Sequence, residues 1–148
     1  MMQIDFATAA DLDAMAGLLG ELFALEADFK PDRARQLAAL RWILDHPAHG
    51  RLFVARDGDQ VVGMANALLG ISTAEGGPVL ILEDVILAAG HRGGGHGRKL
   101  VEHVLAWAAG EGMSRVTLLA DRGNAAALAF YERLGFEASA MVVRRRSL

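Results

Sequence analysis

Two short stretches of this chain carry groups that could do chemistry. Residues 79–87 read VLILEDVIL, an apolar run broken only by Glu83 and Asp84. Acidic residues are depleted in strands, and burying an unpaired carboxylate is costly. Glu83 is therefore either a proton carrier, its pKa raised by burial beside a cleft, or half of a structural ion pair at a strand irregularity. Strand alternation would send Asp84 to the opposite face. Four residues on comes HRGGGHGR (91–98), in which Gly93, Gly94, Gly95 and Gly97 are clustered. Farther along, Asn124 and Tyr131 are seven residues apart, so on one helix they share a face about 10.5 Å apart. A tyrosine phenol, with a reference pKa near ~10, can donate a proton at neutral pH.

The glycine cluster lies between a buried strand and an amphipathic helix. Helix N-terminal N–H groups have no internal partner, and the helix dipole adds about half a positive charge there. Glycines remove the Cβ atoms that would hold an anion away, so the junction is suited to phosphate. Its register excludes two common phosphate loops. Gly97 is followed by Arg98-Lys99 rather than Lys and then Ser or Thr, and G-x-G-x-x-G fails in both frames, ending on Arg98 or Leu100.

The elements that must position these groups are legible as pattern. Gln3–Ala7 alternates like a strand, and Asp11 could cap a helix carrying Leu12, Met15, Leu18, Leu19 and Leu22. Pro31-Asp32 opens a second helix that ends at His46-Pro47. A hairpin turns at Asp57-Gly58-Asp59, and Gly76-Gly77-Pro78 turns the next strand back. Leu100, Val101, Val104, Leu105 and Ala108 make an amphipathic helix over 96–109, followed by a strand at 116–120 and a helix over 124–134. Phe136–Arg146 is expected to add one or two closing strands. The order β-α-α-β-β-β-α-β-α-β implies one mixed α/β domain over 1–148, with a mostly antiparallel sheet and one right-handed parallel crossover.

Composition narrows the function classes. With 15 basic and 18 acidic side chains the net charge is -3, which calls for no nucleic-acid partner. Cysteine is absent, which excludes disulfides and thiolate nucleophiles. The five histidines lack metal-ligand spacing, so no metal is expected. There is no signal-peptide pattern and no apolar run of the ~18–20 residues that span a bilayer, so a cytoplasmic protein is expected.

Arg92-Gly93-Gly94-Gly95-His96-Gly97 is R-x-x-G-x-G, and NAAALAFYERLGF (124–136) closely matches N-x-x-A-x-x-F-Y-x-x-x-G-F. With LEDVIL before them, these motifs resemble the GNAT superfamily of N-acetyltransferases over roughly residues 79–136. There are departures: His96 replaces a small or apolar residue, and AAGH (88–91) lacks the usual proline and acidic residues. The resemblance implies acetyl-coenzyme A as co-substrate, held by Val85, Leu87, Arg92, Gly93, Gly94, Gly95, His96, Gly97, Arg98, Asn124, Ala127 and Tyr131. It implies Glu83 as general base, an oxyanion contact from the Leu87 N–H, and Tyr131 as acid for the departing thiolate. LEDVIL is similar to the diamine acetyltransferases within that family. The acceptor is expected to be a small primary amine, with a protein N-terminus or lysine second, bound near Glu26, Phe29 and Glu83 without a covalent acetyl-enzyme. A non-catalytic acyl-coenzyme A sensor on the same fold is the rival reading. A homodimer is expected, through the apolar segment FEASAMVV.

Overall fold

The computed structural model describes residues 2–25 and 30–148. Five strands form one sheet in sequence order: β1 (Met2–Phe6), β2 (Gly50–Asp57), β3 (Gln60–Ser72), β4 (Gly77–Leu87) and β5 (Val116–Leu118). The first four pair antiparallel, and β5 joins β4 in parallel. Helices α1 (Leu12–Leu25) and α2 (Arg33–Asp45) precede β2, α3 (His96–Gly110) makes the β4-to-β5 crossover, and α4 (Ala125–Arg133) follows β5.

Alternation along the strands splits the core into two layers. Leu52, Val54, Met64 and Ile86 pack with Met15, Leu19, Leu40 and Ile43 of α1 and α2. Phe53, Ala65, Leu80 and Leu82 pack with Leu100, Val101 and Val104 of α3. A sheet covered on both faces needs continuous apolar strands, which is what VLIL and LFVA supply. Asp32 caps α2, its Oδ1 accepting the Arg35 N–H at 3.1 Å, and Asn124 caps α4 by the same device, its Oδ1 accepting from Ala127 at 3.0 Å.

Three local expectations are overturned. Asp11 does not cap α1. It ends a 3₁₀ turn over Ala9–Asp11, is buried, and its carboxylate accepts the Thr8 N–H and both Arg56 terminal nitrogens. Asp84 is not sent to the far face by alternation. The β3–β4 register steps from Met64↔Ile86 to Asn66↔Glu83, a bulge on β4. There Asp84 turns to φ +53° and accepts a hydrogen bond from Asn66. Lastly, 136–146 forms no strand. A strand requires a ladder partner whatever its propensity, and Met141 and Val142 stand 86% and 65% exposed instead of lying on the core.

Candidate active site

β4 and β5 pair only at Leu80–Leu82 with Val116–Leu118, so past Leu82 the β4 edge is not bordered by β5. A cavity of about 520 Å³ borders this stretch. Its floor includes Val85 and Leu87, one rim is the loop at Arg92, Gly93, Gly95, Gly97 and Arg98, and the far wall is α4 with Asn124, Ala127 and Tyr131. Ten of the residues expected around a cofactor thus line one space. Gly94 and His96 do not line it. The His96 ring folds back over Gly94, where a Cβ would lie 3.2 Å from its Nε2.

The loop geometry explains its composition. Gly95 is the N-cap of α3 at φ +81°, and Gly93 stands at φ +86°. Both are left-handed, a conformation costly for other residues. A Cβ on Gly93 or Gly95 would meet nothing within 4 Å, so conformation, not crowding, demands glycine. The result is a free helix N-terminus facing the cavity. Gly95→Val is therefore expected to raise the Michaelis constant for a phosphate-bearing ligand about tenfold or more, at about 1–2 kcal/mol of stability. Steady-state kinetics with a melting curve check it, and an unaltered constant in a folded variant would argue against a phosphate cradle.

Arg92 has a supporting role that the sequence did not reveal. Its Nε donates to the Leu87 carbonyl at 2.9 Å, and its Nη2 lies 4.0 Å from Glu21 Oε2 on α1. The arginine thereby ties the loop to β4 and α1. The Ala88 N–H donates to Val62 on β3 at 2.7 Å, so by ladder alternation Leu87's N–H and C=O point away from β3. Arg92 fixes that carbonyl on the cavity side, and with it the direction of the Leu87 N–H. His91 Nε2 lies 3.1 Å from Asp57 Oδ2, which anchors the loop's start to the β2–β3 turn. The His91 hydrogen bond is the main reason that the Asp57 carboxyl is held below its ordinary value.

Tyr131 is half-buried, its ring 5.1 Å from Phe130 and 5.8 Å from Phe136. Asn124 lines the cavity while its Oδ1 caps α4, so the bland capping role and a place in the site coexist. Glu83 is half-buried opposite Asn66 and does not line the cavity. Glu26 and Phe29 lie outside the described residues. Sequence reasoning missed Leu22 and Leu25 of α1, Ile86 of β4, Phe130 and Arg133 of α4, and Leu134 at the end of that helix, which complete the walls. The helical stripe marked Leu22 as core, and nothing in a stripe says that its last turn overhangs a cavity. A smaller hollow of about 210 Å³ between the end of α2 and β2 gathers none of these groups. Among the described residues, no three side chains of His, Asp or Glu converge as a metal site.

The acetyltransferase (GNAT) family model matches residues 18–136. This chain belongs to that family. Among curated relatives, it is 34% identical over 90 residues to N-acetyltransferase family 8 member 2 of Rattus norvegicus, covering 61% of this chain and 40% of the relative. It is 37% identical over 91 residues to streptothricin acetyltransferase of Streptomyces lavendulae, covering 60% and 46%. The matched segment thus spans less than half of each curated relative. In fold, the chain superposes on an aminoglycoside N-acetyltransferase solved with coenzyme A at a TM-score of 0.84, with 23% identity, covering 99% of this chain and 95% of that one. That likeness is one of architecture.

Proposed function

We propose that this protein transfers an acetyl group from acetyl-coenzyme A to a primary amine. The observation that carries the reading is one cavity bounded by the free N-terminus of α3, the stretch of β4 not bordered by β5 and the α4 face bearing Asn124 and Tyr131. The residues fit a coenzyme A. The amides at Gly97 and Arg98, with the Arg98 and Arg133 side chains at the rim, suit a pyrophosphate. The open β4 edge suits the amides of a pantetheine arm. When bound, the thioester supplies the activated acetyl group. The protein's own groups answer the rest of the chemistry: Glu83 takes the amine proton, directly or through a water, the Leu87 N–H meets the developing oxyanion, and Tyr131 donates a proton to the departing thiolate. The curated relative named streptothricin acetyltransferase supports a small molecule as acceptor. The exposed apolar run Met141–Val143 supports a homodimer.

The test is a thermal shift followed by a thiol-release assay. Coenzyme A or acetyl-coenzyme A at 100 times its Kd is expected to stabilise the protein by about 2.7 kcal/mol, a rise in Tm of roughly 5–10 °C. NADH is expected to do nothing. With acetyl-coenzyme A present, sisomicin, phenethylamine and a peptide with a free N-terminus and a lysine serve as acceptors. No thermal shift with either coenzyme A species refutes the ligand. A shift without thiol release on any acceptor turns the reading to a non-catalytic acyl-coenzyme A sensor.

A further inference from the structure

The bulge in β4 concentrates three hydrogen-bond acceptors at one point on the sheet. Asp84, at φ +53°, is the one non-glycine with a left-handed backbone among the described residues. Its Oδ2 accepts from Asn66 Nδ2 at 3.2 Å. Asn66 is only 5% exposed, and its Oδ1 is buried with no hydrogen-bond partner among the described residues. Its register partner is Glu83, and facing residues on antiparallel strands have their Cβ atoms about 5 Å apart. Met64 and Leu68, two residues to either side of Asn66 on β3, pack toward α1 and α2. Asn66, Glu83 and Asp84 therefore meet on that face.

Asn66 gives its Nδ2 to Asp84, and its own Oδ1 is the acceptor left without a donor among the described residues. A buried acceptor without a donor is costly, which points to a donor brought by a ligand. The ligand that complements the set is a primary ammonium, with three N–H donors, no acceptor and a positive charge. The backbone supports the same conclusion. Glycine would adopt the bulge conformation without strain; what aspartate adds is its carboxylate, and strain of this kind is characteristic of functional positions.

We propose that Asp84, positioned by Asn66, is a specificity-determining carboxylate that receives the acceptor amine in its protonated form, before Glu83 takes its proton. The proposal rests on the N-acetyltransferase reading above and adds a residue to it. The ammonium donates to Asp84 and to Asn66 Oδ1, one of its N–H protons passes to Glu83, and the neutral amine is left facing the thioester. Asp84 supplies binding and orientation; it takes no proton.

Asp84→Asn and Asp84→Gly separate charge from backbone shape. Asparagine tolerates the left-handed conformation and glycine prefers it, so both variants keep the bulge. On whichever of sisomicin, phenethylamine or the peptide turns over, both are expected to raise the acceptor KM by about 10- to 100-fold. The expected kcat stays within about threefold and the KM for acetyl-coenzyme A is unchanged, the signature of lost ground-state binding. Asn66→Ala is expected to move the acceptor KM the same way, with a melting curve to separate positioning from loss of fold. If Asp84→Gly keeps the parent acceptor KM, the position serves only the shape of the bulge and the proposal is overturned. If both Asp84 variants lose kcat with unchanged KM, Asp84 acts in the chemical step and the proposal is again overturned. A parent enzyme that acetylates none of the three acceptors defeats the functional reading first, and this proposal with it.

Discussion

Glu83→Gln is expected to lower kcat/KM for the acceptor amine by about 10²- to 10⁴-fold. A lysine-like amine has a reference pKa near ~10.4, so at neutral pH it arrives protonated and cannot attack. Some group must remove that proton next to the thioester. Glu83 is half-buried on β4, two residues before Val85 on the cavity floor, and faces Asn66 across the ladder. Glutamine has nearly the same shape and keeps an acceptor oxygen, but it cannot take the proton. The fold and acetyl-coenzyme A binding should survive, which a thermal shift with coenzyme A checks. The deficit should narrow as pH rises toward the amine's own pKa, because solvent then supplies the free amine. A pH series of kcat/KM reads this directly. If Glu83→Gln stays within about threefold of the parent across that series, the carboxylate is structural and another route removes the proton.

What could be read from the sequence was what depends on near neighbours. The spacing of Leu100, Val101, Val104 and Ala108 is a local periodicity, and α3 buries those four residues. The glycine loop is likewise local, since the φ values at Gly93 and Gly95 need glycine wherever the chain goes next. Asn124 and Tyr131 reach the same cavity because one helix carries Tyr131 and is capped by Asn124. The failures come from pairings between distant residues. Asp84's direction depends on a register shift against β3, which alternation within β4 cannot reveal. Arg92 lines the cavity as expected, and only the fold adds its tie to Glu21 on α1. Leu22 and Leu25 line the cavity only because α1 crosses the sheet at that point. One overlooked signal was present: Asn66 interrupts the apolar run VVGMANALL, and a polar residue inside a buried strand asks for a partner. The missing strand at 136–146 is the converse case, where apolar residues in sequence find no edge to pair with.

Asp11→Ala is expected to destabilise the protein by about 3 kcal/mol, lowering Tm by roughly 6–12 °C. Asp11 and Arg56 are 45 residues apart, yet the carboxylate takes both terminal guanidinium nitrogens at 2.6 Å each. It also accepts the Thr8 N–H at 2.7 Å. The Asp11 side chain is 6% exposed against 22% for Arg56, so the aspartate is the deeper partner. Removing it leaves a guanidinium with Asp5 at 3.7 Å and a Thr8 amide without its acceptor. Arg56→Ala should cost at least as much, because it strands the more deeply buried charge. The double variant should lose less than the sum of the two, since each single change already breaks the same pair. Acid supplies an independent check. The Arg56 hydrogen bonds are the main cause holding the Asp11 carboxyl below its ordinary 3.8. The unfolded chain therefore takes up that proton first as pH falls. The stabilisation is fully present above about 3.8 and is lost as pH drops through the lower native value, so parent and Asp11→Ala should converge in stability there. Urea unfolding across that range measures the convergence. Strict additivity of the two single variants, or a gap that persists in acid, would mean that Asp11 acts through its packing and not through its charge.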